Sequence, residues 1–293
     1  MLCKKRLRIW KEGAFMAFDF GQLLLIIFIM MTVWPMMKKK ALEHARYNFL
    51  QKLEKVRGTR CITLIHRQEA MSILGLPISR YIDIEDSEQV LRAVRFTPDD
   101  MPIDIILHTP GGLLLATEQI ALALMRHPAK VTVFVPHYAM SGGTMIALAA
   151  NEIVMDENAV LGSVDPQIGQ FPAVSILSAV GKKNVNRVDD STLIMADIAE
   201  KAIKQVEESV IKLLTGKFPP EQVANLAHTL SSWKWTHDYP ISCDELKKMG
   251  LSVEVNVPDL IYDLMELYPQ PIQRMPSVQY IPLPYEKKET RKS

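Results

Sequence analysis

No charge interrupts residues 20–37, "FGQLLLIIFIMMTVWPMM", where Gln22 is the one strongly polar side chain. At a rise of about 1.5 Å per residue such a run reaches roughly 27 Å, enough for a bilayer's hydrocarbon core, so the pattern predicts a membrane-spanning helix. Pro35 and three lysines at 38–40 follow it where a secretory signal would carry a small-residue cleavage site. The segment therefore reads as an uncleaved anchor, with Trp34 near the interface. Residues 38–57 are charged, lack Gly and Pro, and read as a helix leaving the membrane.

Beyond residue 58 two periods alternate. "TRCITLIHR" (59–67) has β-branched alternation and predicts a strand. Residues 72–82 read as an ordered loop, and 86–95 as a helix with Asp86 as its N-cap. "PIDIILHT" (102–109) is a buried strand, "PGG" a turn, 113–127 a helix and "KVTVFVPHY" (130–138) another strand. Ser141 opens the next helix, followed by two short strands, "EIVMD" and "AVLGSVD". A long helix over 191–214 is capped by Asp189 or Asp190, another opens on a proline near 220, and "CDELKKMG" is a short one ended by Gly250. Strands alternating with helices predict a layered α/β domain. The expected division is a leader and anchor over 1–37, a helical linker over 38–58, the main domain over 59–268, and a Pro-rich charged tail over 269–293 that is extended or disordered.

Composition narrows the function. Among 293 residues the formal net charge is +1, which argues against nucleic acid or another polyanion as partner. Cys3, Cys61 and Cys243 are scattered and match neither a disulfide framework nor a metal site. His66, His127 and His228 have no ligand-spaced neighbours and read as surface or satisfied core residues. There is no GxGxxG and no phosphate loop, and no residue spacing points to a metal. Basic residues flank the apolar run on both sides, but a start at Met16 leaves them only after it. That places the protein in the cell membrane as a single-pass chain with its main domain cytoplasmic.

The chemistry sits in "HTPGG" (108–112) and "AMSGGTMIALAA" (139–150). Gly111 and Gly112 end one buried strand, and Ser141 ends the next. In adjacent parallel strands both ends reach the same sheet edge, where α/β proteins place their sites. A serine at a strand-to-helix turn has an exposed Oγ, and the first amides of the helix have no intrahelical partner. An amide near Gly111 and the amide of Gly142 can then face one point as an oxyanion hole beside a nucleophile. The same pattern also serves close packing of an Ala-rich helix on a sheet.

"HTPGG", "AMSGGTMIALAANEIVM" and "AVLGSVDPQ" together resemble the Clp protease and signal peptide peptidase A superfamily, with its crotonase-like spiral of ββα units. More closely, "AVLGSVDPQIG", "TLIMADIAEKAIKQV" and "WTHDYPI" make the chain similar to the serine dehydrogenase proteinases, a membrane-anchored branch. The likeness covers roughly residues 60–251. It implies a serine peptidase acting on peptides or proteins through an acyl-enzyme, without a cofactor, as a homo-oligomer. It also implies a triad in the order Ser141, Asp165, His237, with His237 as base and Asp165 fixing its tautomer. The signal peptide peptidases use Ser and Lys instead, for which Lys182, Lys183 and Lys201 are the candidates; the first two fall in a polar loop, and Lys201 also reads as a surface partner of Asp197. A non-proteolytic membrane scaffold retaining the fold is the alternative function. A crotonase-type acyl-CoA enzyme is disfavoured by the Ser-Gly-Gly context and the anchor.

Overall fold

In the computed structural model, which describes residues 20–66, 72–73, 76–77, 81–231 and 235–268, the apolar run is helical but is not one helix. α1 spans Phe20–Phe28, a π segment Ile29–Val33, and α2 Trp34–Arg57. Trp34 donates its N–H to Ile29 O, five residues back, which is the π pattern. Pro35 follows at once; it has no N–H to donate into the preceding turn, a recognised cause of such a break. Among the described residues no helix is long and apolar enough to cross a membrane. α1 covers only about 14 Å, and α2 turns charged after Met37. The single span expected over 20–37 is thus divided among three helical pieces. The leader with Cys3 and Met16, and the tail from Pro269, lie outside the described residues.

The described chain forms two units that divide after Leu53. The second is layered α/β. β1 (Arg60–Ile65) opens it, and β2 (Ser72–Ile73) pairs antiparallel with β3 (Leu76–Pro77) within the stretch expected to be a loop. α3 (Ile84–Arg95) starts earlier than expected: Asp83 is its N-cap, and Asp86 is the third residue of a capping box with it. Then come β4 (Ile103–His108), α4 (Leu114–Met125), β5 (Val131–Val135), β6 (Tyr138–Ala139) and α5 (Gly142–Ala149). β7 (Glu152–Met155), β8 (Val160–Leu161), β9 (Gln167–Ile168) and β10 (Phe171–Pro172) lead to α6 (Ala173–Gly181) and the long α7 (Asp190–Leu214), capped by Asp189. α8 (Pro220–Ser231), β11 (Ile241–Ser242), α9 (Cys243–Lys248), β12 (Val253–Val255) and α10 (Asp259–Glu266) complete it.

The main sheet runs β1-β4-β5-β7-β12, all neighbours parallel. Every residue of β4 and β5 is buried, Asp104, His108 and Thr132 included, as expected of central strands in a parallel sheet. The strand expected over 130–138 is two strands. β5 ends at Val135, and β6 leaves for a small sheet of order β11-β8-β6. In that sheet β6 runs parallel to β8, with Ala139 opposite Leu161, and β11 runs antiparallel, with Ile241 opposite Leu161. Chain leaving β6 and β8 therefore emerges at the end where chain enters β11. Ser141 lies just past β6, Asp165 past β8, and His237 before β11. Three stretches distant in sequence are thus delivered to one place.

Candidate active site

Ser141 is the N-cap of α5 and, among the described residues, the one non-glycine with positive φ (50°, ψ −115°). Such a conformation costs about 1–3 kcal/mol and persists where the surroundings impose it. Here Met140 N–H donates to Thr109 O (2.9 Å), Gly143 N–H to Met140 O (2.7 Å) and Met145 N–H to Ser141 O (3.2 Å). Thr144 Oγ1 donates to Ala139 O (3.0 Å) and accepts from Gly162 N–H (3.0 Å), stitching α5 to the small sheet. Gly111 has φ 101°, and a Cβ there would lie 2.8 Å from Ser141 Cβ, so only glycine lets the two turns meet.

Asp165 is buried, and three donors surround its carboxylate. His237 Nδ1 (2.9 Å) and Ser163 Oγ (2.7 Å) reach Oδ1, and Gln167 Nε2 (2.6 Å) reaches Oδ2. Burial pushes the carboxyl up, but the bonds from His237 and Ser163 outweigh this and leave its pKa lowered. The same bond raises His237 above its ordinary value against the opposing effect of burial. A carboxylate only accepts, so Nδ1 carries the proton and neutral His237 keeps its lone pair on Nε2.

Ser141, Gly111, Gly112, Gly142, Asp165 and His237 all line one cavity of about 500 Å³. Its apolar side is formed by Leu114, Met145, Ala202 and Val206. No hydrogen bond joins Ser141 Oγ to His237 among the described residues. The Gly111 N–H is already engaged by Thr109 Oγ1 at 3.2 Å. Gly112 forms a parallel bridge to Ile82 through Gly111 O and Leu113 N–H, a pattern that turns Gly112's own N–H away from Ile82. Lys201, the alternative base, is exposed, donates to Asp197 Oδ2 at 2.6 Å, and does not line the cavity.

His66 is buried between Thr109 Oγ1 (2.9 Å) and Asp86 Oδ2 (3.2 Å). His127 Nε2 meets Met101 O at 2.8 Å, and His228 lies on the surface 3.5 Å from Glu207. Among the described residues no group of three or more His, Cys, Asp or Glu gathers to hold a metal ion. Sequence reasoning passed over Ser163 and Gln167, although they flank Asp165 at the spacing that shares one face of an extended chain. Thr109 and His66 carried no local signal.

A family model described as ClpP-like SDH-type serine proteinase matches residues 13–293. An uncharacterised protein of Methanocaldococcus jannaschii is 56% identical over 269 residues, 92% of this chain and 91% of that one. Among solved structures, ClpP1 from Listeria monocytogenes aligns with a TM-score of 0.44 at 17% identity, over 71% of this chain and 98% of that one. A membrane-bound stomatin-specific protease, 1510-N, aligns with a TM-score of 0.43 at 18% identity, over 63% and 79%.

Proposed function

The chain belongs to the ClpP-like SDH-type serine proteinase family, and we propose that it hydrolyses peptide bonds through an acyl-enzyme on Ser141. The observation that carries this reading is the His237–Asp165 hydrogen bond at 2.9 Å, in the same cavity as a serine held at positive φ. Ser141 Oγ bonds to the scissile carbonyl carbon while His237 Nε2 takes its proton. The carbonyl electrons move to oxygen, and the amides of Gly142 and Gly112 receive that charge, since Gly111's amide is occupied. On collapse the C–N bond breaks, and His237 returns the proton to the leaving amine. Water then repeats the sequence on the ester. Asp165 holds the imidazole tautomer and stabilises the imidazolium. The missing Ser141–His237 bond matches unliganded sites, where catalytic hydrogen bonds tighten only with substrate.

The test is labelling of the full-length protein by a fluorophosphonate. Ser141→Ala should keep the fold and abolish labelling. Labelling that persists, or that maps to Ser163 or Ser242, sinks the assignment. The non-proteolytic scaffold predicts no labelling of the wild type.

Membrane attachment is part of the same reading. Leu24, Leu25, Phe28, Met30, Met31, Trp34, Met36 and Met37 are all exposed, a bare apolar surface that water does not favour. Lys38, Lys39 and Lys40 follow directly, which suits a cytoplasmic main unit. Carbonate extraction should leave the protein in the membrane pellet; release into the supernatant counts against an integral anchor.

A further inference from the structure

We propose that His66 and Thr109 are positioning residues: a hydrogen-bond relay from Asp86 through both to the Gly111 amide holds the glycine turn in register with Ser141. The proposal rests on the peptidase reading above. His66 lies just past β1, and its N–H donates to His108 O at 2.7 Å, which fixes it beside the end of β4. Its side chain is only 6% exposed. A buried imidazole is costly unless its nitrogens are bonded, and both are: Nδ1 meets Thr109 Oγ1 at 2.9 Å and Nε2 meets Asp86 Oδ2 at 3.2 Å.

With the His66 ring neutral, the donors follow from what each group can do. The Asp86 carboxylate only accepts, so Nε2 carries the proton. In the neutral ring Nδ1 is then the acceptor, and the Thr109 hydroxyl donates to it. That leaves Oγ1 lone pairs for the Gly111 N–H at 3.2 Å. Donation thus runs one way, from Gly111 N–H to Thr109 Oγ1 and from its hydroxyl to His66, and then from His66 to Asp86. Asp86 is itself anchored, because it accepts from Asp83 N–H (3.0 Å) in the capping box at the start of α3. The helix N-terminus favours its negative charge.

Thr109 also grips the other half of the site. Its carbonyl accepts from Met140 N–H at 2.9 Å, directly before Ser141. One residue therefore ties the turn presenting Gly112 to the turn presenting the nucleophile. The two turns have no slack, since a Cβ on Gly111 would stand 2.8 Å from Ser141 Cβ. His66, Asp86 and Thr109 do not line the cavity, so they act through Gly111 and Gly112 rather than on substrate. Misplacement by about 1 Å costs on the order of 100-fold in rate.

The experiment compares full-length wild type, Thr109→Val and Thr109→Ser. Valine keeps the shape and removes the hydroxyl; serine keeps the hydroxyl. Thr109→Val should slow fluorophosphonate acylation about 10- to 100-fold with peptide KM changed less than about threefold, and Thr109→Ser should restore most of the rate. Independently of activity, Thr109→Val in a Ser141→Ala background should speed amide hydrogen exchange over residues 108–113. Wild-type acylation by Thr109→Val, with unchanged exchange, overturns the relay while leaving Ser141 as nucleophile. If the wild type itself is not labelled, the peptidase reading falls and the relay's role falls with it.

Discussion

His237 serves the proposed reaction only when neutral, and its bond to Asp165 raises its pKa above the ordinary value of about 6.5. The acidic limb of the rate profile should therefore lie above that value. Asp165→Asn removes the raising charge and the tautomer restraint, so the limb should move down while kcat falls about 10,000-fold, by analogy with other triads. A limb unmoved in Asp165→Asn contradicts the pairing. Stability follows the same shifts. The raised His237 stabilises the fold fully below the unfolded histidine value and loses that contribution as pH rises through the folded one. The lowered Asp165 contributes above the unfolded value of about 3.9 and loses its share as pH falls through the folded one. The Tm gap between wild type and His237→Gln should accordingly be wider at about pH 5 than at about pH 8.5; a gap that widens at alkaline pH speaks against it.

At the level of elements, α5 is held at both ends. At its start a Cβ on Gly142 would come within 2.4 Å of Thr117 Oγ1, so α5 docks closely on α4 only because residue 142 has no side chain. Gly142→Ala should cost about 1–3 kcal/mol as overpacking. In a Thr117→Ala background the Oγ1 at 2.4 Å is gone and Cβ at 3.3 Å remains, so the cost in urea unfolding should shrink; strict additivity of the two changes would falsify the close-docking account. At its other end Lys217 Nζ donates to Leu148 O (2.7 Å) and Ala150 O (2.6 Å). Burial pushes this lysine down to about 8, so the ammonium still predominates at neutral pH. Lys217→Met strands two buried carbonyls and should cost about 2–3 kcal/mol, measured by denaturant melt; an unchanged midpoint would show that water replaces it.

For the whole molecule, Leu115 on α4, Phe171 on β10, and Ile194 and Ile198 on α7 are exposed large apolar side chains. Such surface commonly marks contacts, and we propose that it seats further copies of the chain. The detergent-solubilised protein should sediment as a homo-oligomer at micromolar concentration. A double change, Ile194→Glu with Ile198→Glu, should lower the assembly state while keeping the fold. A monomeric wild type rules the proposal out.

Local chemistry made much of this protein legible in its sequence. The largely apolar β4 and β5, the amphipathic α7 with its Asp189 cap, and the glycines around Ser141 each follow from side chains a few residues apart. The serine and the two glycine turns could be placed at one sheet edge because parallel strands share their ends. Elements with little local period escaped: α6 is a short run whose polar side chains are only Ser175 and Ser178, and β12 has three residues that form a strand only by pairing with β7. The apolar count over 20–37 did not disclose the π break that precedes Pro35, because a backbone bond five residues back leaves no mark on hydropathy. Asp165 and His237 meet because β8 and β11 are antiparallel in a sheet too small to read from sequence. The His66–Thr109–Gly111 relay depends likewise on the parallel pairing of β1 and β4, which sets Ile65 opposite His108. Residue types and short-range periods were determined by the sequence itself. Which distant residues share a hydrogen bond was decided only in the tertiary structure, because strand pairing brings them together across chain distances that no local pattern spans.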